Sequence, residues 1–126
     1  MYAEVAHLRY EEELDRWVWE QRRERRKGTH ERVRIDSEPD YPTYEVVVTG
    51  ESISLAFAEF QVLKFLAQRP YHAFRVQEIV DALSAAGVAD VDDGSLRDVV
   101  IDLRRKLGFF RDYVQTVPYI GYRFRP

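Results

Sequence analysis

One stretch near the C-terminus, Ser95 to Leu107 (SLRDVVIDLRRKL), restricts the fold more than any other part of the chain. Leu96, Val99, Val100, Leu103 and Leu107 recur at i, i+3, i+4, i+7 and i+11, one apolar stripe at the helical period. A helix with a single stripe must be covered on that side and solvated on the other. Ser95 is expected as its N-cap, with Asp92 and Asp93 just upstream, where the helix dipole favours negative charge. Arg104, Arg105 and Lys106 crowd the last turn, where positive charge is favoured, and Gly108 is the expected stop. The remaining face carries Arg97, Asp98, Ile101, Asp102, Arg104 and Arg105. Such a face suits plain solvation, and it also suits the DNA major groove.

Changes of period along the chain say what covers that stripe. Tyr44 to Thr49 (YEVVVT) is β-branched and strand-like, Gly50-Glu51 is a tight connection, and Ser52 to Leu55 is the partner strand. Val33 and Ile35 alternate with charged residues as a further short strand, followed by a loop over Ser37 to Thr43. Phe57 to Gln68 returns to the helical period, with Phe60, Leu63, Leu66 and Ala67 inward, and Arg69-Pro70 ends it. Val76 to Ala85 is a second helix with Ile79, Val80 and Leu83 inward. After Gly108, Tyr113 to Val117 and Tyr122 to Arg125 form a hairpin around a turn at Pro118 to Gly121. The pattern predicts an α+β fold: antiparallel strands, three helices, then a C-terminal hairpin.

Residues 1–28 predict one long charged helix, since Ala, Glu, Leu, Arg and Trp dominate and no Gly or Pro interrupts before Gly28. Its first half is acidic and its second half basic, ending in RRERRK. Leu14, Trp17 and Val18 are its candidate contacts. Two such arms lying antiparallel would pair opposite charges in a homodimer; a single arm folded back on its own domain would bury the same tryptophans. The division is then an arm over 1–28, a short strand and linker over 29–43, and a domain over 44–126.

At 126 residues with 45% hydrophobic content the chain can bury one real core. There are no cysteines, which excludes disulfides and fits an intracellular setting. No apolar run approaches the ~18 residues a membrane span needs, and the acidic N-terminus is not a signal peptide. Net charge is −3, but from Gly94 to Pro126 seven basic residues stand against three acidic ones, so that segment is +4 and the remainder −7. An enzyme is not expected: His7, His30 and His72 are scattered, and no nucleophile elbow, phosphate-binding Gly-rich loop or zinc spacing occurs. The acidic run Asp90, Asp92, Asp93 fails as a calcium loop, because setting Gly94 at its sixth position puts Ala89, Val91 and Val100 where oxygen ligands belong. No cofactor or metal is expected.

LAFAEFQVLKFLAQRP (Leu55 to Pro70), SLRDVVIDLRRKLG (Ser95 to Gly108) and VQTVPYIGYRF (Val114 to Phe124) together resemble an OmpR/PhoB-type winged-helix DNA-binding domain, the C-terminal effector domain of response regulators. The resemblance covers about two-thirds of the chain, from about Tyr44 to Arg125, and too few residues precede it for a receiver domain. It implies a cytoplasmic, bacterial-type transcription regulator that binds double-stranded DNA. Helix 95–107 would enter the major groove, and the wing over 113–125 would meet the adjacent minor groove and backbone. Loop 86–94 would be free to contact RNA polymerase. By position, Arg104 matches a DNA-contacting basic residue, Thr116 and Tyr122 match wing residues that touch the backbone, and Ser95 matches a phosphate-binding hydroxyl. Arg97, Ile101, Arg105, Tyr119 and Arg123 complete the candidate DNA-binding set. Ile101 and Asp102 stand where basic residues are frequent, Pro118 replaces a frequent wing arginine, and Arg75 sits where a capping Ser is common. The alternative is a winged helix that binds protein, with Ile101 and Tyr119 as interface anchors.

Overall fold

The computed structural model describes residues 2–25 and 44–126. The strand expected around Val33 and Ile35, the loop 37–43 and the end of the basic run at residues 26–27 lie outside the described residues. Four strands form the first sheet: β1 (Tyr2–Glu11), β2 (Arg16–Arg25), β3 (Tyr44–Val48) and β4 (Glu51–Leu55), in the order β2-β1-β3-β4. Three helices follow, α1 (Phe57–Ala67), α2 (Val76–Ala85) and α3 (Asp93–Leu107). A 3₁₀ segment (Gly108–Tyr113) leads into the second sheet. That sheet combines β5 (Phe74–Arg75), β6 (Val114–Val117) and β7 (Gly121–Phe124) in the order β5-β7-β6.

The long helix expected over residues 1–28 is not formed. Residues 2–25 are a β-hairpin, β1 and β2 paired antiparallel across a turn at Glu12–Asp15. The physical reason lies in two tryptophans. Trp17 and Trp19 are two residues apart, on nearly opposite sides of a helix but on one face of a strand. Both are put to use: Trp17 packs edge-on to Phe124 with ring centroids 5.7 Å apart, and Trp19 edge-on to Phe60 at 5.5 Å. Ala6 and Leu8 of β1 are buried in the same core, and Leu8 lies opposite Trp19 in the register. Helix propensity is a weak prior, and burial of this face overrides it.

The charge polarity of the arm has a different use from the one expected. The acidic first strand lies against the basic second, with Glu4 opposite Arg23 and Glu11 opposite Arg16 along the backbone register. Arg16 reaches Glu11 at 2.9 Å, and Arg9 reaches Glu20 at 3.1 Å. Opposite charges meet within one hairpin, so they supply no reason for two helical arms to pair. Of the three candidate dimer contacts, Trp17 is spent on Phe124 of its own chain, Leu14 is exposed in the turn, and Val18 is half-buried on the strand between the tryptophans.

The hairpin joins the domain through β1, whose Val5–His7 pair parallel with Glu45–Val47 of β3. This one parallel pairing makes the front sheet mixed, where an all-antiparallel set was expected. Between β3 and β4 the turn is Thr49-Gly50, one residue earlier than expected. Both residues have positive φ (46° and 87°), the two-residue turn that matches strand twist. α1 lies under the sheet: Phe60 stacks on Tyr44 at 5.0 Å, and Val62, Leu63, Leu66 and Ala67 are buried. Leu96, Val100, Leu103 and Leu107 of α3 complete the core, as their spacing predicts.

Trp19→Ala is expected to lower unfolding free energy by about 2 kcal/mol, less than the ~3–5 kcal/mol of a fully buried tryptophan. The midpoint of urea unfolding would measure it; an unchanged midpoint would mean that the hairpin does not cover α1.

Candidate nucleic-acid interface

α3 begins two residues earlier than expected, and Asp92 rather than Ser95 is its N-cap. Asp92 is extended (φ −141°), and its Oδ1 accepts the Ser95 backbone N–H at 2.8 Å. Ser95 Oγ in turn accepts the Asp92 N–H at 2.8 Å, closing a reciprocal capping box. Asp and Ser cap about equally well, so the cap falls to the residue just before the first helical position, where the Asp92 carboxylate also meets the positive end of the helix dipole. The Ser95 backbone N–H, and secondarily its side chain, hold the Asp92 carboxyl below the ordinary carboxylate range. The Ser95 hydroxyl, assigned to phosphate from its position, is thus engaged in holding the helix start.

The other end of α3 is anchored by a buried carboxylate. Glu59 in the first turn of α1 is only 5% exposed, and Lys106 Nζ reaches its two oxygens at 2.7 and 3.0 Å. The same carboxylate accepts the Ala56 N–H at 2.9 Å, so one group caps α1 and holds α3. Lys106 is therefore tied to α1, and the outer face is left to Arg97, Asp98, Ile101 and Arg105, all exposed. Ile101 is 51% exposed. Arg105 pairs with Asp102 at 2.8 Å one turn back, so that carboxylate carries its own counter-charge on the outer face.

Arg104 turns from this face toward the wing. Its Nε donates to the Val114 carbonyl at 2.9 Å and its Nη2 to Thr116 Oγ1 at 2.8 Å. The guanidinium carbon stands 5.8 Å from the centre of the Tyr122 ring. The structure thus brings together three residues singled out separately in the sequence, Arg104, Thr116 and Tyr122, as a clamp between α3 and the wing. Arg123 lies on the neighbouring strand and donates to Gln115 Oε1 at 3.0 Å, across the pair Gln115–Arg123. Ser95, at the far end of α3, is not part of this cluster.

The hairpin β6–β7 is seated by a close approach. A Cβ on Gly121 would stand 2.1 Å from the Phe74 carbonyl and 3.0 Å from the Val76 nitrogen, so only glycine fits where β7 crosses β5. The backbone at the tip is tied on both sides: Ile120 N donates to the Val117 carbonyl at 3.1 Å, and the Ile120 carbonyl accepts the Val76 N–H at 3.2 Å. Tyr119 at the apex is fully exposed and holds a left-handed backbone (φ 67°). Two contributors escaped sequence reasoning. Gln115 was unremarkable until its cross-strand partner was known. Arg75, exposed at the N-cap of α2, is paired opposite Gly121 and so belongs to the wing surface; the signal was the arginine standing where a capping hydroxyl is usual.

Residues 50–124 match the family described as transcriptional regulatory protein, C terminal. The chain belongs to this family. It is thus an OmpR/PhoB-type DNA-binding domain of a transcription regulator, with an added N-terminal hairpin outside the matched region. Among solved structures it is similar to the C-terminal domain of the nisin resistance regulator NsrR, a lantibiotic response regulator. Identity there is 24% over 60% of this chain and 78% of that one, with a TM-score of 0.53. The DNA-binding domain of the response regulator AdeR, solved in complex with an intercistronic region, shares 20% identity. That match spans 65% of this chain and 84% of that one, with a TM-score of 0.52. At these identities the likeness is one of fold. No curated protein sequence is significantly similar to the chain. No helix among the described residues is long and apolar enough to cross a membrane.

Gly121→Ala is expected to cost at least about 3 kcal/mol, because its Cβ meets backbone that cannot move aside. Gly50→Ala, with open space but positive φ, should cost only about 1–2 kcal/mol. Paired thermal melts test the contrast, and equal losses would remove the close approach as the cause. The Asp92 cap has a pH signature: its folded value is depressed, so its stabilisation is present above the ordinary carboxylate range and lost as pH falls through the folded value. Asp92→Asn should remove that component from an acid titration of stability.

Proposed function

We propose that this domain reads double-stranded DNA sequence-specifically, with α3 in the major groove and the β6–β7 wing on the adjacent minor groove and backbone. The observation that carries the reading is the Arg104 clamp. It ties the wing to the last turn of α3, so the two elements proposed to face DNA are held at one spacing before any duplex arrives. Preorganisation of this kind lowers the ordering cost of binding.

On α3 the residues free to meet base edges are Arg97 and Ile101, an arginine for guanine or phosphate and an apolar side chain for a thymine methyl. Asp98 can accept from a cytosine amino group. Arg105 reaches phosphate while compensating Asp102. Thr116, Tyr122 and Arg123 line the wing with hydroxyls and charge, and the N–H groups of Arg104 outside its two hydrogen bonds remain for the backbone. Most arginines here already have a protein partner, so sequence-independent affinity is low and specificity rests on a few contacts. The loop 86–94 carries Asp90, Asp92 and Asp93 on its exposed side, with Val88 and Val91 packed on the core, and is the surface we assign to RNA polymerase. A second copy on a neighbouring half-site belongs to the same reading.

The test is fluorescence anisotropy on a random-sequence duplex pool, from low salt upward, with selection of the bound fraction. A linear log–log salt dependence with slope of about −4, matching about four phosphate contacts, is expected together with an enriched motif. Arg97→Ala should weaken the selected site by about 1–3 kcal/mol and relax the preference at one base position. No binding at low salt would replace this reading with the protein-interaction module anchored by Ile101 and Tyr119.

A further inference from the structure

The wing ends in an apolar point on a basic stem. From Tyr113 to Pro126 there is no acidic residue, while Arg123 and Arg125 lie on the returning strand side and Arg75 stands opposite Gly121. At the tip, Pro118, Tyr119 and Ile120 carry no charge. Tyr119 is fully exposed and Ile120 is 45% exposed, adjacent large apolar side chains at the turn between β6 and β7. Exposure of this sort is unfavourable in water, and no packing within the chain offsets it for Tyr119.

The tip is also rigid. Pro118 fixes its own φ, the Ile120 N–H and carbonyl are both held by backbone partners, and Gly121 is seated against the Phe74 carbonyl. Tyr119 keeps a left-handed backbone (φ 67°), a conformation unfavourable for a residue of its size. A flexible loop would fold such side chains back onto the protein. This one is braced so that they point away.

We propose that the wing tip is a wedge, and that Tyr119 and Ile120 enter the minor groove and insert between base pairs, unstacking one step and kinking the duplex. This inference rests on the DNA-binding reading above. The basic stem selects a polyanion, and the base stack is the apolar surface a polyanion offers at that depth. Inserted apolar side chains of this type open the minor groove at the inserted step and bend DNA toward the major groove, away from the tip. The step that yields at least cost is a pyrimidine–purine step, TA or CA/TG, so the wedge adds sequence preference at a position no hydrogen bond reads.

The experiment uses the full chain and the duplex selected by the anisotropy assay, end-labelled for energy transfer, with 2-aminopurine placed in turn at each step facing the wing. Wild type should bend the duplex by about 20–90° and raise 2-aminopurine fluorescence at one step only. Tyr119→Asn with Ile120→Ser, asparagine being tolerant of positive φ, should reduce the bend and abolish that signal. Affinity should fall by roughly tenfold, as expected for the loss of one base–aromatic stacking contact. A wild-type complex that is straight, with no 2-aminopurine response, overturns the wedge and leaves the DNA reading standing. An undiminished bend in the double variant also overturns it. Absence of any wild-type binding at low salt overturns both readings together, and is distinct because no complex forms.

Discussion

Both sheets and the two other helices close on α1, and the burial of that helix on nearly all sides is the constraint from which the rest follows. Phe60 is covered by Tyr44 and Trp19 from the front sheet, while Phe65 meets Phe74 of the second sheet at 4.5 Å. Glu59 sits in the same turn as Phe60 and is almost as deeply buried. Its carboxylate is acceptable there because Lys106 and the Ala56 N–H satisfy it. Burying a charge without such partners would cost several kcal/mol. The pair contributes less as net stability than as registration, since it sets where along α1 the end of α3 must lie.

That registration carries outward. With Lys106 tied to Glu59, its neighbour Arg105 is left at the surface and Arg104 is turned toward β6. Three adjacent basic residues, alike in sequence, thus have three different surroundings. One anchors the helix, one clamps the wing and one remains at the surface. The last turn of α3 does not form a broad cationic patch, which matches the acidic balance of the chain: its grip on a polyanion depends on a few placed groups more than on overall field.

The N-terminal hairpin lies outside the family's matched residues, yet it is built into the same sheet through the β1–β3 pairing. Its tryptophans cover parts of α1 and β7. The wing base is therefore supported from the far end of the chain: Trp17 packs on Phe124, which closes β7 two residues after Tyr122 of the clamp.

The helices and the wing were legible because each is specified by local period and punctuation: Leu96, Val100, Leu103 and Leu107 have one helical face to bury wherever they are placed, and Pro118 to Gly121 breaks the last two strands with a turn. The hairpin was not legible, because residues 2–25 are strong helix formers and the competing signal, two tryptophans at strand spacing, gains meaning only when Phe60 and Phe124 are there to receive them. Ser95 was misplaced for a related reason, since Asp92 and Ser95 are both good caps and the choice between them depends on where the helix axis starts. By itself the sequence determined the family, the three helices and the C-terminal hairpin. Only the tertiary structure decided that the first strands cover the core and that Arg104 holds the wing. Both outcomes are settled by partners in other elements, Phe60 and Phe124 for the tryptophans and Val114 and Thr116 for Arg104, which local period does not encode.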